Sequence, residues 1–100
     1  MTWKVKMTPK AEKEFIAMCK GRVLERDDLN LIKAWLNEME EYGPVHIAAS
    51  RLWGDHELYD EWAGFRASCL SGPGRIIYQV RNKEILVEVH RVTTVHDYKK

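Results

Sequence analysis

Two β-rich runs near the end of the chain, Arg75-Ile76-Ile77-Tyr78-Gln79-Val80 and Glu84 to Val92, are separated only by Arg81-Asn82-Lys83. So short a connection forces the runs to pair as a hairpin. Upstream, Ser71-Gly72-Pro73-Gly74 is a strong turn, and before it Ala63, Phe65, Ala67 and Cys69 alternate with Gly64, Arg66 and Ser68. The last forty residues therefore read as three consecutive strands of a mostly antiparallel sheet, which needs a covering layer to bury one of its faces.

The first half supplies that layer. Trp3-Lys4-Val5-Lys6-Met7 alternates as a half-buried strand does. Thr8 can cap a helix with Pro9 at its first position, and Ala11, Phe15 and Met18 then fall on one side. Gly21 is its natural stop. A second helix starts near Asp27 or Asp28, with Leu29, Ile32, Trp35, Leu36 and Met39 on its apolar stripe, and Gly43-Pro44 ends it. Val45 to Leu52 fits a short helix or a loop, and residues 45 to 61 read mostly as connection. The order β-α-α-β-β-β predicts an α+β fold, a helical hairpin packed on one face of a small, mostly antiparallel sheet. At 100 residues this is one domain spanning 1–100.

Composition narrows the function classes. Lys+Arg at 16 nearly cancels Asp+Glu at 15, so no global field draws in nucleic acid or an anionic membrane, and any basic site must be local. Cys19 and Cys69 show no CxxC spacing and read as packed thiols. Four histidines without HExxH or close Cys spacing make a weak metal case. No apolar run approaches the roughly 20 residues of a membrane span, and the N-terminus lacks a signal h-region, which points to a cytoplasmic protein.

Alternation sorts the expected sheet faces. Phe65, Ala67, Cys69, Ile76, Tyr78, Val80, Ile85, Val87 and Val89 are expected under the helices. The opposite face then receives Arg66 and Ser68, Arg75, Ile77 and Gln79, and Leu86, Glu88 and His90. Guanidinium groups bind phosphate in a fixed fork and stabilise charge developing on a phosphoryl centre, so Arg66 and Arg75 are the electrostatic candidates. Breaking RNA without a metal also needs a base and an acid, tasks suited to His96 and Tyr98. Lys99 and Lys100 add backbone attraction. Each residue also has a plainer use: a solvated sheet face is polar by itself, His46 suits a surface, His56 suits a turn, His90 suits a pair with Glu88, and Trp53 and Trp62 suit sealing a core.

Taken together, Thr8-Pro9-Lys10-Ala11-Glu12-Lys13-Glu14-Phe15, Asp55-His56-Glu57-Leu58, Trp62-Ala63-Gly64-Phe65-Arg66, Gly74-Arg75-Ile76-Ile77-Tyr78 and His90 through Tyr98 resemble the RelE/ParE superfamily of bacterial toxin-antitoxin toxins. The likeness is to its RelE and YafQ-like ribonuclease branch. It implies a RelE-like fold, a cognate antitoxin as partner, no cofactor or metal, and cleavage of mRNA in the ribosomal A site by attack of the 2′-hydroxyl on the adjacent phosphate. It implies catalytic roles for Arg66, Arg75, His96 and Tyr98, with His56, His90, Arg91, Lys99 and Lys100 as RNA contacts. Cys69 and Ser68 depart from the basic residues those branches carry. A ParE-like inhibitor of DNA gyrase and a non-catalytic antitoxin-binding relative are the alternatives.

Overall fold

The computed structural model describes residues 2–94. Strand β1 (Lys4–Met7) leads into α1 (Pro9–Lys20), α2 (Arg26–Tyr42) and a short α3 (Pro44–Ala49). Then come β2 (His56–Glu57), β3 (Arg66–Cys69), β4 (Arg75–Arg81) and β5 (Leu86–Thr93). The sheet order is β1-β5-β4-β3-β2; β1 runs parallel to β5 and every other pair is antiparallel.

Local chemistry explains the helix limits. Thr8 accepts from the Ala11 amide through its side chain, with Pro9 at the first helical position. In α2 the cap is Glu25, earlier than the acidic pair suggests, and the Asp28 carboxylate accepts from the Glu25 amide in a capping box. Gly43 both ends α2 and begins α3, so the ambiguous 45–52 segment opens with a helix. The connection expected over 45–61 also holds β2 and a 3-10 turn, Asp60–Trp62. No helix among the described residues is long and apolar enough to cross a membrane.

The main core lies between the helices and one sheet face, where Ile32, Trp35, Met39 and Ile47 meet Ile76, Tyr78, Val87, Val89 and Val92. Leu29, expected on the apolar stripe, is exposed instead, and Leu24 in the α1–α2 connection is buried. A second cluster, Leu58, Trp62, Phe65, Ala67 and Ile77, sits on the opposite face. It forms because the β2–β3 connection folds over the sheet and lays Trp62 edge-on against Phe65, with centroids 5.1 Å apart. Strand β4 is consequently buried on both sides, as the unbroken run Ile76-Ile77-Tyr78 requires.

That second cluster corrects the face assignment of β3. The strand alternates as expected, but its apolar set, Ala67 with Phe65, packs into the outer cluster while Arg66 and Ser68 turn toward the helices. Register makes this unavoidable: Arg66 pairs with Tyr78 and Ser68 with Ile76, whereas Ala67 pairs with Ile77 and Cys69 with Arg75. Arg66 and Arg75 therefore lie on opposite faces. Ile77, expected in solvent, is fully buried.

Candidate functional site

Asp55 is the centre of the polar structure, and its side chain is wholly shielded from solvent. Its Oδ1 accepts from Arg66 Nε at 2.7 Å. Its Oδ2 accepts from the Ser68 hydroxyl at 2.7 Å and the Tyr78 hydroxyl at 2.5 Å. Ser68 in turn accepts from Trp35 Nε1 of α2 at 2.9 Å. Four donors on three elements thus converge, directly or through Ser68, on one carboxylate in the loop before β2. Burial opposes the charge of Arg66, but the hydrogen bond and charge of Asp55 more than offset it and hold the guanidinium above its ordinary range.

Burial, reinforced by the hydrogen bond and charge of Asp55, pushes the Tyr78 phenol well above its ordinary value; Arg66 pulls it down less. A raised folded-state value means that the native chain keeps this proton longer than the unfolded chain does. The resulting stabilisation is whole below the unfolded phenol's value of about 10 and is lost as pH rises beyond it. Tyr78→Phe is expected to make the alkaline loss of unfolding free energy shallower by about 1.4 kcal/mol per pH unit. Tyrosinate absorbance is the companion measurement: ionisation of Tyr78 in the folded chain at the ordinary phenol value of about 10 would contradict this placement.

The outer face carries a different set. Across the sheet, His56, Ala67, Ile77 and Arg91 form one row of paired residues, and Cys69, Arg75 and Thr93 form the next. Strand spacing and rise place the backbones of His56 and Arg75 roughly 12 Å apart, a gap their side chains can bridge around one phosphate. His56 is exposed and its Nδ1 lies 3.0 Å from the Gly54 carbonyl. Because a carbonyl only accepts, the shared hydrogen belongs to Nδ1, and in the neutral ring Nε2 keeps its lone pair. Cys69 Sγ donates to the same carbonyl at 3.5 Å.

Arg75 Nη1 donates to the carbonyls of Gly72 and Gly74 at 3.0 and 2.8 Å, bracing the guanidinium across the β3–β4 turn. Its Nε is buried with no partner among the described residues. A bulge in β5 between the partners of Ile77 and Tyr78 lets His90 and Arg91 both enter the outer side. His90 stacks edge-on against Phe65 at 4.7 Å and bonds Glu88 at 2.8 Å, and Arg81 bonds Glu88 at 3.2 Å. The bond from His90, reinforced by Arg81 and opposed by partial burial, holds the Glu88 carboxyl below its ordinary range.

The fold thus gathers Arg75, His56, His90 and Arg91 around the rim of the outer cluster. Arg66, expected beside Arg75, is instead committed to Asp55, although a third of its side chain remains in solvent. His96, Tyr98, Lys99 and Lys100 lie outside the described residues. Trp53 and Trp62 are buried, His46 is on the surface beside Glu38, and both cysteines are free and half-buried. Sequence reasoning missed Asp55. Its signal was one acid among several in Gly54-Asp55-His56-Glu57-Leu58, which looks like any turn until the donors on β3 and β4 are placed. Among the described residues no three His, Cys, Asp or Glu side chains are grouped as metal ligands would be.

The α+β order and the five-stranded, mostly antiparallel sheet are those of RelE-like folds seen in solved structures. Among solved structures, the chain is similar to the DinJ-YafQ toxin-antitoxin complex of E. coli, with TM-score 0.70 and 18% identity over 94% of this chain and 93% of the other. It is similar to a metal-bound toxin from Helicobacter pylori, with TM-score 0.69 and 20% identity over 92% of each chain. The archaeal RelE-RelB complex from Pyrococcus horikoshii gives TM-score 0.67 and 17% identity over 93% and 94%. No family model and no curated protein matches the sequence.

Proposed function

We propose that this chain is the toxin of a type II toxin-antitoxin module, acting in the cytoplasm as a ribosome-dependent endoribonuclease on mRNA and restrained by a cognate antitoxin. The observation that carries the reading is the joint placement of exposed His56 and braced Arg75 in adjacent rows of one face of a RelE-like sheet. In this reading a base removes the 2′-hydroxyl proton, the oxygen–phosphorus bond forms, and the bond to the 5′-oxygen breaks as an acid protonates it. A 2′,3′-cyclic phosphate and a 5′-hydroxyl result. His56 Nε2 suits the base, Arg75 faces the charge developing on phosphorus, and Arg91 and His90 border the path of the RNA. From the sequence, His96 remains a candidate for acid or base, and Tyr98 for supporting proton transfer or orienting the nucleotide.

Arg75→Ala and His56→Ala are each expected to slow cleavage by a factor on the order of a hundred or more. The measurement is mapping of mRNA 5′ ends after tightly controlled expression of wild type, Arg75→Ala, His56→Ala and His96→Ala. Cuts within translated codons that disappear in the variants agree with the proposal. Growth arrest with intact mRNA would turn the reading to gyrase inhibition, and no arrest would leave an antitoxin-binding relative.

A further inference from the structure

We infer that Asp55 is a positioning residue for His56, acting through the Gly54 carbonyl; this rests on the reading of His56 as the base. Strand β2 is two residues long, and its pairing with β3 is extended only by one backbone bond on each side, from the Leu58 amide to the Phe65 carbonyl and from the Cys69 amide to the Trp53 carbonyl. Beside these bonds the segment is anchored by the side chain one residue before His56, where Asp55 is gripped by Arg66, Ser68 and Tyr78.

The link to the histidine is covalent geometry. The Gly54 carbonyl and the Asp55 Cα belong to the same planar peptide unit. Anchoring the Asp55 carboxylate on β3 and β4 therefore restricts where the Gly54 oxygen can point. That oxygen receives the Nδ1 hydrogen of His56 at 3.0 Å. The buried network on the helix side of the sheet thus selects, on the other side, the tautomer with its lone pair on Nε2. Ser68 also ties the anchor to α2 through Trp35 Nε1. Asp55 touches no substrate in this arrangement; it acts on the base from behind.

The tautomer can be read without any reaction. Nitrogen-15 NMR of the histidine rings at a pH where they are neutral is expected to show His56 of the wild-type chain mainly protonated on Nδ1. Asp55→Asn, which keeps one acceptor and turns the other into a donor, is expected to return His56 to the mixture of a free histidine. Should that chain fail to fold, Ser68→Ala/Tyr78→Phe, which keeps the ion pair with Arg66 but removes two of the three donors, is read in the same way. A wild-type ring protonated mainly on Nε2, or a folded variant of either kind that retains the Nδ1–H form, overturns the inference. In the cleavage assay the same variants should lose turnover by about a hundredfold with KM little changed. A tautomer shift without any cleavage by the wild type leaves the positioning intact and removes the nuclease reading, so the two fail separately.

Discussion

Asp55→Ala is expected to lower the unfolding free energy by about 3–5 kcal/mol, the range for breaking a buried ion pair from one side. The substitution leaves three donors aimed at an empty site. Ser68 and Tyr78 are fully buried, and each hydroxyl left without its acceptor costs roughly 1–3 kcal/mol. Arg66 relieves part of the loss because a third of its side chain already faces solvent and can swing outward. Urea unfolding measures the effect through the shift in midpoint at constant slope. Ser68→Ala should cost less than Asp55→Ala, since it removes a donor together with its need for a partner except at Trp35 Nε1. An Asp55→Ala midpoint within about 1 kcal/mol of wild type would mean that the convergence on this carboxylate is incidental to stability.

Gly43→Ala is the second large effect, and its cause is steric. Gly43 has φ 87° and ψ 175°, a region closed to side-chain-bearing residues, and occupying it costs on the order of 1–3 kcal/mol. A Cβ there would also lie 2.5 Å from Trp3 Nε1 and 2.9 Å from Trp3 Cδ1. The indole cannot simply withdraw, because Trp3 is packed against the core and its amide donates to the Glu40 carbonyl of α2 at 2.9 Å. Overpacking of this kind adds about 1–3 kcal/mol. Together the terms should lower the melting temperature by more than about 10 °C in a chain of this size. Trp3→Ala in the Gly43→Ala background should recover the steric part and leave the backbone part, so a double-mutant cycle separates them. A Gly43→Ala melting temperature equal to that of wild type would show that the α2–α3 junction is not built on this conformation.

Much of the fold was legible because its signals are local. Thr8 and Pro9 start α1, Gly43 stops α2, and the turn at Gly72 to Gly74 and the short link at Arg81 to Lys83 dictate the β3-β4-β5 meander, all from residues within a few positions of the element they control. The resemblance carried by the Asp55–Leu58, Trp62–Arg66 and Gly74–Tyr78 segments pointed to the RelE-like fold that the solved structures share. The candidate site was legible in parts. Arg75 was picked out by residue type and His56, His90 and Arg91 with the resemblance, and they arrive on one face, whereas Arg66 was picked out and arrives on the other.

The amino-acid sequence by itself determined the order of the elements, the alternation within each strand and the inventory of groups able to handle a phosphate. Only the tertiary structure decided which way β3 faces. A period of two separates two sets of side chains without saying which set lies inward, and in a sheet with apolar clusters on both faces the more apolar set need not meet the helices. Arg66 and Ser68 could turn inward only because Asp55, eleven or more residues away along the chain, supplies a buried carboxylate to receive them. That pairing is non-local, and so was invisible until β2, β3 and β4 lay side by side.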